Sequence, residues 1–108
     1  MRLVDLEPRF LKIVDERTFR SDGTIQDDGL CLLCPTCFEK NDGNVGTHSI
    51  ICWRPHVPQT YYPIPGRWEM QGTGFDDLTL AGATSSSVLI TEGCMAHFFI
   101  RSGAIIPA

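Results

Sequence analysis

Gly29-Leu30-Cys31-Leu32-Leu33-Cys34-Pro35-Thr36-Cys37 decides the reading of this chain, because an apolar run too short for a helix delivers two cysteines to a proline-containing turn. Leu30–Cys34 reads as a buried strand. The turn after it is a C-x-x-C, Cys34-Pro35-Thr36-Cys37, whose two thiolates can reach one tetrahedral ion at ~2.3 Å each. Downstream the same grammar repeats, with short apolar runs between turn clusters and no segment of ten residues that holds a 3.6-residue period. Strands are expected at Thr47–Arg54, Arg67–Gly72, Asp77–Leu80, Ser87–Thr91 and His97–Arg101, the last turning through Ser102-Gly103 into Ala104–Ile106. Alternation puts His48, Ile50 and Cys52 on one face of the second strand and Ile51 and Trp53 on the other. Two apolar faces suggest a central strand.

Between the second and third strands runs Pro55-His56-Val57-Pro58-Gln59-Thr60-Tyr61-Tyr62-Pro63-Ile64-Pro65-Gly66, whose prolines remove backbone donors and favour an extended loop. His56 is expected to face solvent, and Tyr61 and Tyr62 to form an exposed aromatic patch for a partner. Upstream, residues 1–20 hold Arg2, Arg9, Lys12, Arg17 and Arg20, five of the nine basic residues of the chain. Leu3, Leu6, Phe10, Leu11, Ile13 and Val14 fit a helical stripe, but Pro8 and the β-branched pair suit an extended strand equally well. Residues 1–28 are therefore expected as a mixed arm beside a core module at 29–108, the whole forming one mostly-β domain, a small sandwich or rolled sheet.

The chain of 108 residues leaves no room for a second core, and a domain of this size profits from a metal or covalent staple. Five cysteines without an apolar leader argue for reduced thiols and metal ligation in a cytoplasmic protein over a disulfide framework. The second half of the site is Cys94-Met95-Ala96-His97, a C-x-x-H that begins 57 residues beyond Cys37. Cys34, Cys37, Cys94 and His97 would then hold one structural Zn²⁺ and pin the first third of the module to its last strand. Cys31 and Cys52 read as core residues. His48 reads as a structural histidine, with a role as alternative ligand or as hydrogen-bond partner of a ligand left open, because structural zinc takes four donors and not five.

A closed shell with three thiolates lowers the Lewis acidity a hydrolase needs, so catalysis is disfavoured. The rival is a zinc-dependent hydrolase with an open metal position near His48 and Glu92, Asp76 or Asp77 as base. Gly72-Thr73-Gly74-Phe75-Asp76-Asp77 reads as a turn between strands. A net charge of −4 disfavours a nucleic-acid partner, and no apolar run is long enough to cross a membrane.

The motifs Cys34-Pro35-Thr36-Cys37-Phe38, Gly46-Thr47-His48-Ser49, Trp68 through Gly72-Thr73-Gly74, Asp77-Leu78-Thr79-Leu80 and Gly93-Cys94-Met95-Ala96-His97-Phe98-Phe99-Ile100 carry a resemblance. The chain resembles a family of small uncharacterised bacteriophage and prophage proteins, including the opening Leu3-Val4-Asp5-Leu6-Glu7-Pro8-Arg9. A wider similar group, which includes proteins encoded beside bacterial ubiquitin-like conjugation genes, shares the C-x-x-C and late C-x-x-H but often carries Ser-Pro-Ser where this chain has Ala81-Gly82-Ala83-Thr84-Ser85. The resemblance implies metal ligation by Cys34, Cys37, Cys94 and His97. It also implies a phage product in the host cytoplasm that acts by contact with a host or phage protein, in host-defence modulation or in the virion. It brings no established reaction.

Overall fold

The cross-strand register of the first sheet follows directly from alternation. In the computed structural model, which describes residues 1–82, 85–91 and 93–108, β1 (Arg9–Ile13), β2 (Phe19–Arg20), β3 (Gly29–Leu33) and β4 (Ser49–Trp53) form an antiparallel sheet ordered β2-β1-β3-β4. Leu30 and Leu32 stand opposite Cys52 and Ile50, and these four side chains enter the main core. The other face carries Leu11, Cys31, Ile51 and Trp53 into a second apolar cluster with Val57 and Tyr61 of the proline loop. Both faces of β4 are thus apolar as expected, yet β4 is the edge of its sheet and not its centre. A loop covers its second face, and coverage of a face does not require a hydrogen-bonded neighbour. Gly29 is needed in this packing, since a Cβ there would stand 2.6 Å from the Trp53 ring.

Two further antiparallel sheets complete the fold. β5 (Trp68–Gln71) pairs with β6 (Thr79–Gly82), and β7 (Val88–Leu89), β8 (His97–Arg101) and β9 (Ala104–Pro107) pair in that order. Ser102 and Gly103 both take positive φ, which matches the twist of the tight β8–β9 hairpin. The mostly-β class is therefore observed. So is the Gly72–Asp77 turn, where Asp77 accepts hydrogen bonds from the Thr73 and Gly74 amides and the Thr73 hydroxyl.

Two further expectations change. Residues 1–28 are not an arm beside the core: Leu3 and Leu6, in a short 3-10 turn, are fully buried in it with Phe10 and Ile25. Backbone bonds from the Leu3 N–H to the Gly103 carbonyl and from the Ile105 N–H to the Met1 carbonyl tie the start to the β8–β9 hairpin. Burying two leucines is worth about 1.5–3 kcal/mol each, enough to override the charge difference that set this segment apart. The second change is a helix, α1 (Pro35–Asn41). At seven residues it is too short to show a period, although Pro35 at its first position is a recognised start signal.

Candidate metal centre

Cys34 is the last residue before α1 and occupies its N-cap, so strand β3 and the helix meet at this thiol. Its N–H donates to the His48 carbonyl (2.9 Å), which sets Cys34 and His48 opposite one another just beyond the β3–β4 ladder. Cys37 follows in the first turn of α1. The return from α1 to β4 is held by Asn41 Nδ2 donating to Thr47 Oγ1 (3.2 Å) and by Thr47 Oγ1 donating to the Gly43 carbonyl (2.7 Å). This loop fixes where His48 enters the sheet. Cys94 comes from the far end of the chain, on the connection between β7 and β8, whose base is closed by the Ile90 N–H donating to the Ala96 carbonyl (2.8 Å).

These elements bring Cys34, Cys37, His48 and Cys94 together, with one donor atom of each lying within 4.8 Å of all the others. Sγ of Cys34 is 3.6 Å from Sγ of Cys94, and Nε2 of His48 is 3.4 Å from Sγ of Cys94. A tetrahedral ion with bonds of ~2.0–2.3 Å separates its donors by ~3.4–3.8 Å, so both of these edges fit. Burial pushes the Cys34 thiol up to about 12, whereas the His48 hydrogen bond draws Cys94 down to about 7. Three clustered thiolates repel one another unless a cation stands between them, and a divalent ion provides that charge. Cys34 is fully buried and His48 is exposed, so the centre lies at the surface with one side sealed by the core.

The expected fourth ligand is corrected: His97 does not join the group, and His48 does. His97 opens β8 opposite Leu89. The alternation that buries Phe98 and Ile100 turns His97 outward, to a 140 Å³ cavity that Pro35, Thr36 and Glu39 also line. The C-x-x-H spacing favoured His97, but the alternation of the strand that begins there turns its side chain out of the group. A usable signal was present, since alternation had placed His48 on the face of Ile50 and Cys52, at the end of the strand that pairs with the one leading to Cys34.

The remaining candidates separate clearly. Cys52 is buried in the main core and Cys31 packs half-buried on the opposite face; neither belongs to the cluster. His56 is exposed as expected, and its Nε2 also pairs with Asp28 Oδ1 at 2.6 Å. Tyr61 is a packing residue, edge-on to Trp53 with centroids 6.2 Å apart, and only Tyr62, at 76% exposure, is displayed. Asp77 is engaged in its own turn and Arg2 donates to the Asp76 carbonyl. Glu92 lies outside the described residues, as do Ala83 and Thr84, and among those described no carboxylate joins the four donors. No described helix is long and apolar enough to cross a membrane.

Fold and centre together define a class: a small mostly-β domain with a Cys3His cluster able to hold a metal ion, its donors drawn from both halves of the chain. Comparison with protein-family models, with curated proteins and with solved structures returns no match.

Proposed function

We propose that this chain is a zinc-stapled accessory protein of a bacteriophage or prophage, working in the host cytoplasm by contact with a host or phage protein and not by catalysis. The observation that carries the zinc is the four-donor set itself, three thiols and one imidazole within 4.8 Å of one another, with the Cys34–Cys94 and His48–Cys94 edges at 3.6 and 3.4 Å. Thiolate-rich N/S sets select zinc over the hard cations, and four protein donors leave no place for a reactive water. In this role the ion clamps the β3–α1 junction to the β7–β8 connection, where an apparent ~10–16 kcal/mol of binding energy becomes folding energy. The phage setting rests on the resemblance carried by the motifs quoted above. The contact surface is the side of the proline loop that displays Tyr62 and the 45% exposed Ile64.

One observation favours the hydrolase reading: His48 borders a 430 Å³ cavity with Ile50, Tyr62 and Ile90, so a displaced imidazole would open the ion to a substrate. Cobalt substitution decides between the two. The accessory reading expects one metal per chain and a tetrahedral thiolate-rich spectrum that ignores added azide. A spectrum that shifts with azide would establish an open position and overturn it.

A further inference from the structure

Two sheets in this molecule end on the same groove. β4 is the last strand of the four-stranded sheet and β7 the last of the three-stranded one. The Cys34 N–H donates to the His48 carbonyl and the Arg54 N–H to the Asp28 carbonyl. In antiparallel alternation the peptide groups of Ile50 and Cys52 therefore turn toward β3, and those of Ser49 and Ile51 turn away from it. In the other sheet the bond from the Ile90 N–H to the Ala96 carbonyl leaves Leu89 as the outward residue of β7 by the same rule. Ile51 and Leu89 line one cavity of 630 Å³ whose opposite wall includes Ile64 and Arg67, and Ser49 and Ile51 line the adjoining 430 Å³ cavity beside His48.

Exposed edges are normally blunted by lysine, proline or a covering segment. Here β4 reads Ser-Ile-Ile-Cys-Trp and β7 reads Val-Leu, with neither charge nor proline. The electrostatics point one way as well. Arg67 has no carboxylate at ion-pair distance among the described residues, and its guanidinium is turned onto five loop carbonyls. No described residue lining either cavity is acidic, in a chain of net charge −4. The groove is thus a largely apolar strip whose one charge is Arg67, a cation with its N–H donors held by loop carbonyls and no described carboxylate beside it, so its field repels a basic segment and favours an acidic one.

We propose that this groove takes an extended segment of a partner protein, added as a strand to the free edge of β4, apolar at alternate positions and bearing Asp or Glu toward Arg67. Backbone pairing to Ser49 and Ile51 supplies affinity and the cavities select side chains. This proposal rests on the reading of the chain as an interaction module and names the form its partner takes.

The test is selection of a displayed library of random eight-residue peptides on the full metal-loaded chain. Enriched peptides should alternate apolar residues, carry an acid and lack lysine at the centre, and should shift the amide resonances of Ser49, Ile51 and Leu89. Methylating alternate peptide nitrogens should weaken binding at least ten-fold. So should Ile51→Pro, which deletes an outward N–H that the β3–β4 ladder does not use; Leu89→Asp serves the same purpose if that variant fails to fold. No enrichment, or peptides that tolerate both N-methylation and these variants, would overturn strand addition and leave the accessory role standing. An azide-sensitive cobalt site would instead overturn the closed-site accessory reading on which the proposal rests, whatever the peptides show.

Discussion

The connection that carries Cys94 and the proline loop at 55–67 are both irregular, yet they are held in opposite ways. The proline loop closes on itself: Arg67 donates to the carbonyls of Val57, Pro58, Tyr61, Pro63 and Gly66, and Trp53 Nε1 donates to the Tyr62 carbonyl at 2.6 Å. Its order comes from side chains that bond its own carbonyls, Arg67 foremost. Among the described residues the Cys94 connection shows a backbone bond at its base and the buried Ala96, and its tip is tied to the body through a thiol that meets Cys34, Cys37 and His48. A loop fixed from within survives the loss of a distant contact, whereas a loop fixed by shared ligands falls with any of them.

The largest effect should come from breaking the shared set. Cys34→Ala or exhaustive chelation should remove the metal and, with it, up to the ~10–16 kcal/mol that structural zinc supplies, leaving a chain without cooperative thermal unfolding. A variant that stays folded and metal-free would erase the distinction between the two loops. Arg67→Lys should be milder. A lysine cannot fork to five carbonyls, and we expect a loss of about 2–3 kcal/mol in urea unfolding with metal content unchanged.

A smaller effect separates the two regions by pH. Burial alone would raise the Asp28 carboxyl, but hydrogen bonds from His56 and from the Ile13 N–H outweigh it and hold it below its ordinary 3.8. A lowered carboxyl stabilises the fold above its unfolded value and loses that contribution as pH falls through the folded one. Asp28→Asn should therefore cost about 1–2 kcal/mol at neutral pH and flatten the acid limb of a stability profile below about pH 4, without touching metal content. The smallest effect belongs to the two tyrosines. Tyr62→Ala should leave the melting temperature within a degree or two, whereas Tyr61→Ala, which uncovers Trp53, should lower it by several degrees.

What could be read in the chain without its structure follows a physical division. Strand positions and faces were legible because alternation is local: His97–Arg101 and the hairpin after it fall where expected, and the cysteine triad follows from motif spacing. Edge or centre was not legible for β4, because its two apolar faces are buried by a core and by a loop, and only the pairing order tells these apart. The burial of Leu3 and Leu6 was hidden behind the basic charge of their neighbours, since surface charge says nothing about which apolar face meets the core. The choice between His48 and His97 turned on register. The C-x-x-H spacing favoured His97, and the pairing of β3 with β4 supplied the imidazole instead.

The central claim is that the fourth donor comes across the sheet from Cys34 and not from the strand after Cys94. Titrating cobalt into the apo forms of the parent chain, His48→Ala and His97→Ala, and following the thiolate charge-transfer and tetrahedral d–d bands, tests it directly. The account predicts that His97→Ala reproduces the parent spectrum and stoichiometry, while His48→Ala loses the tetrahedral bands or becomes sensitive to azide. An unaltered His48→Ala spectrum beside a disrupted His97→Ala spectrum would contradict it.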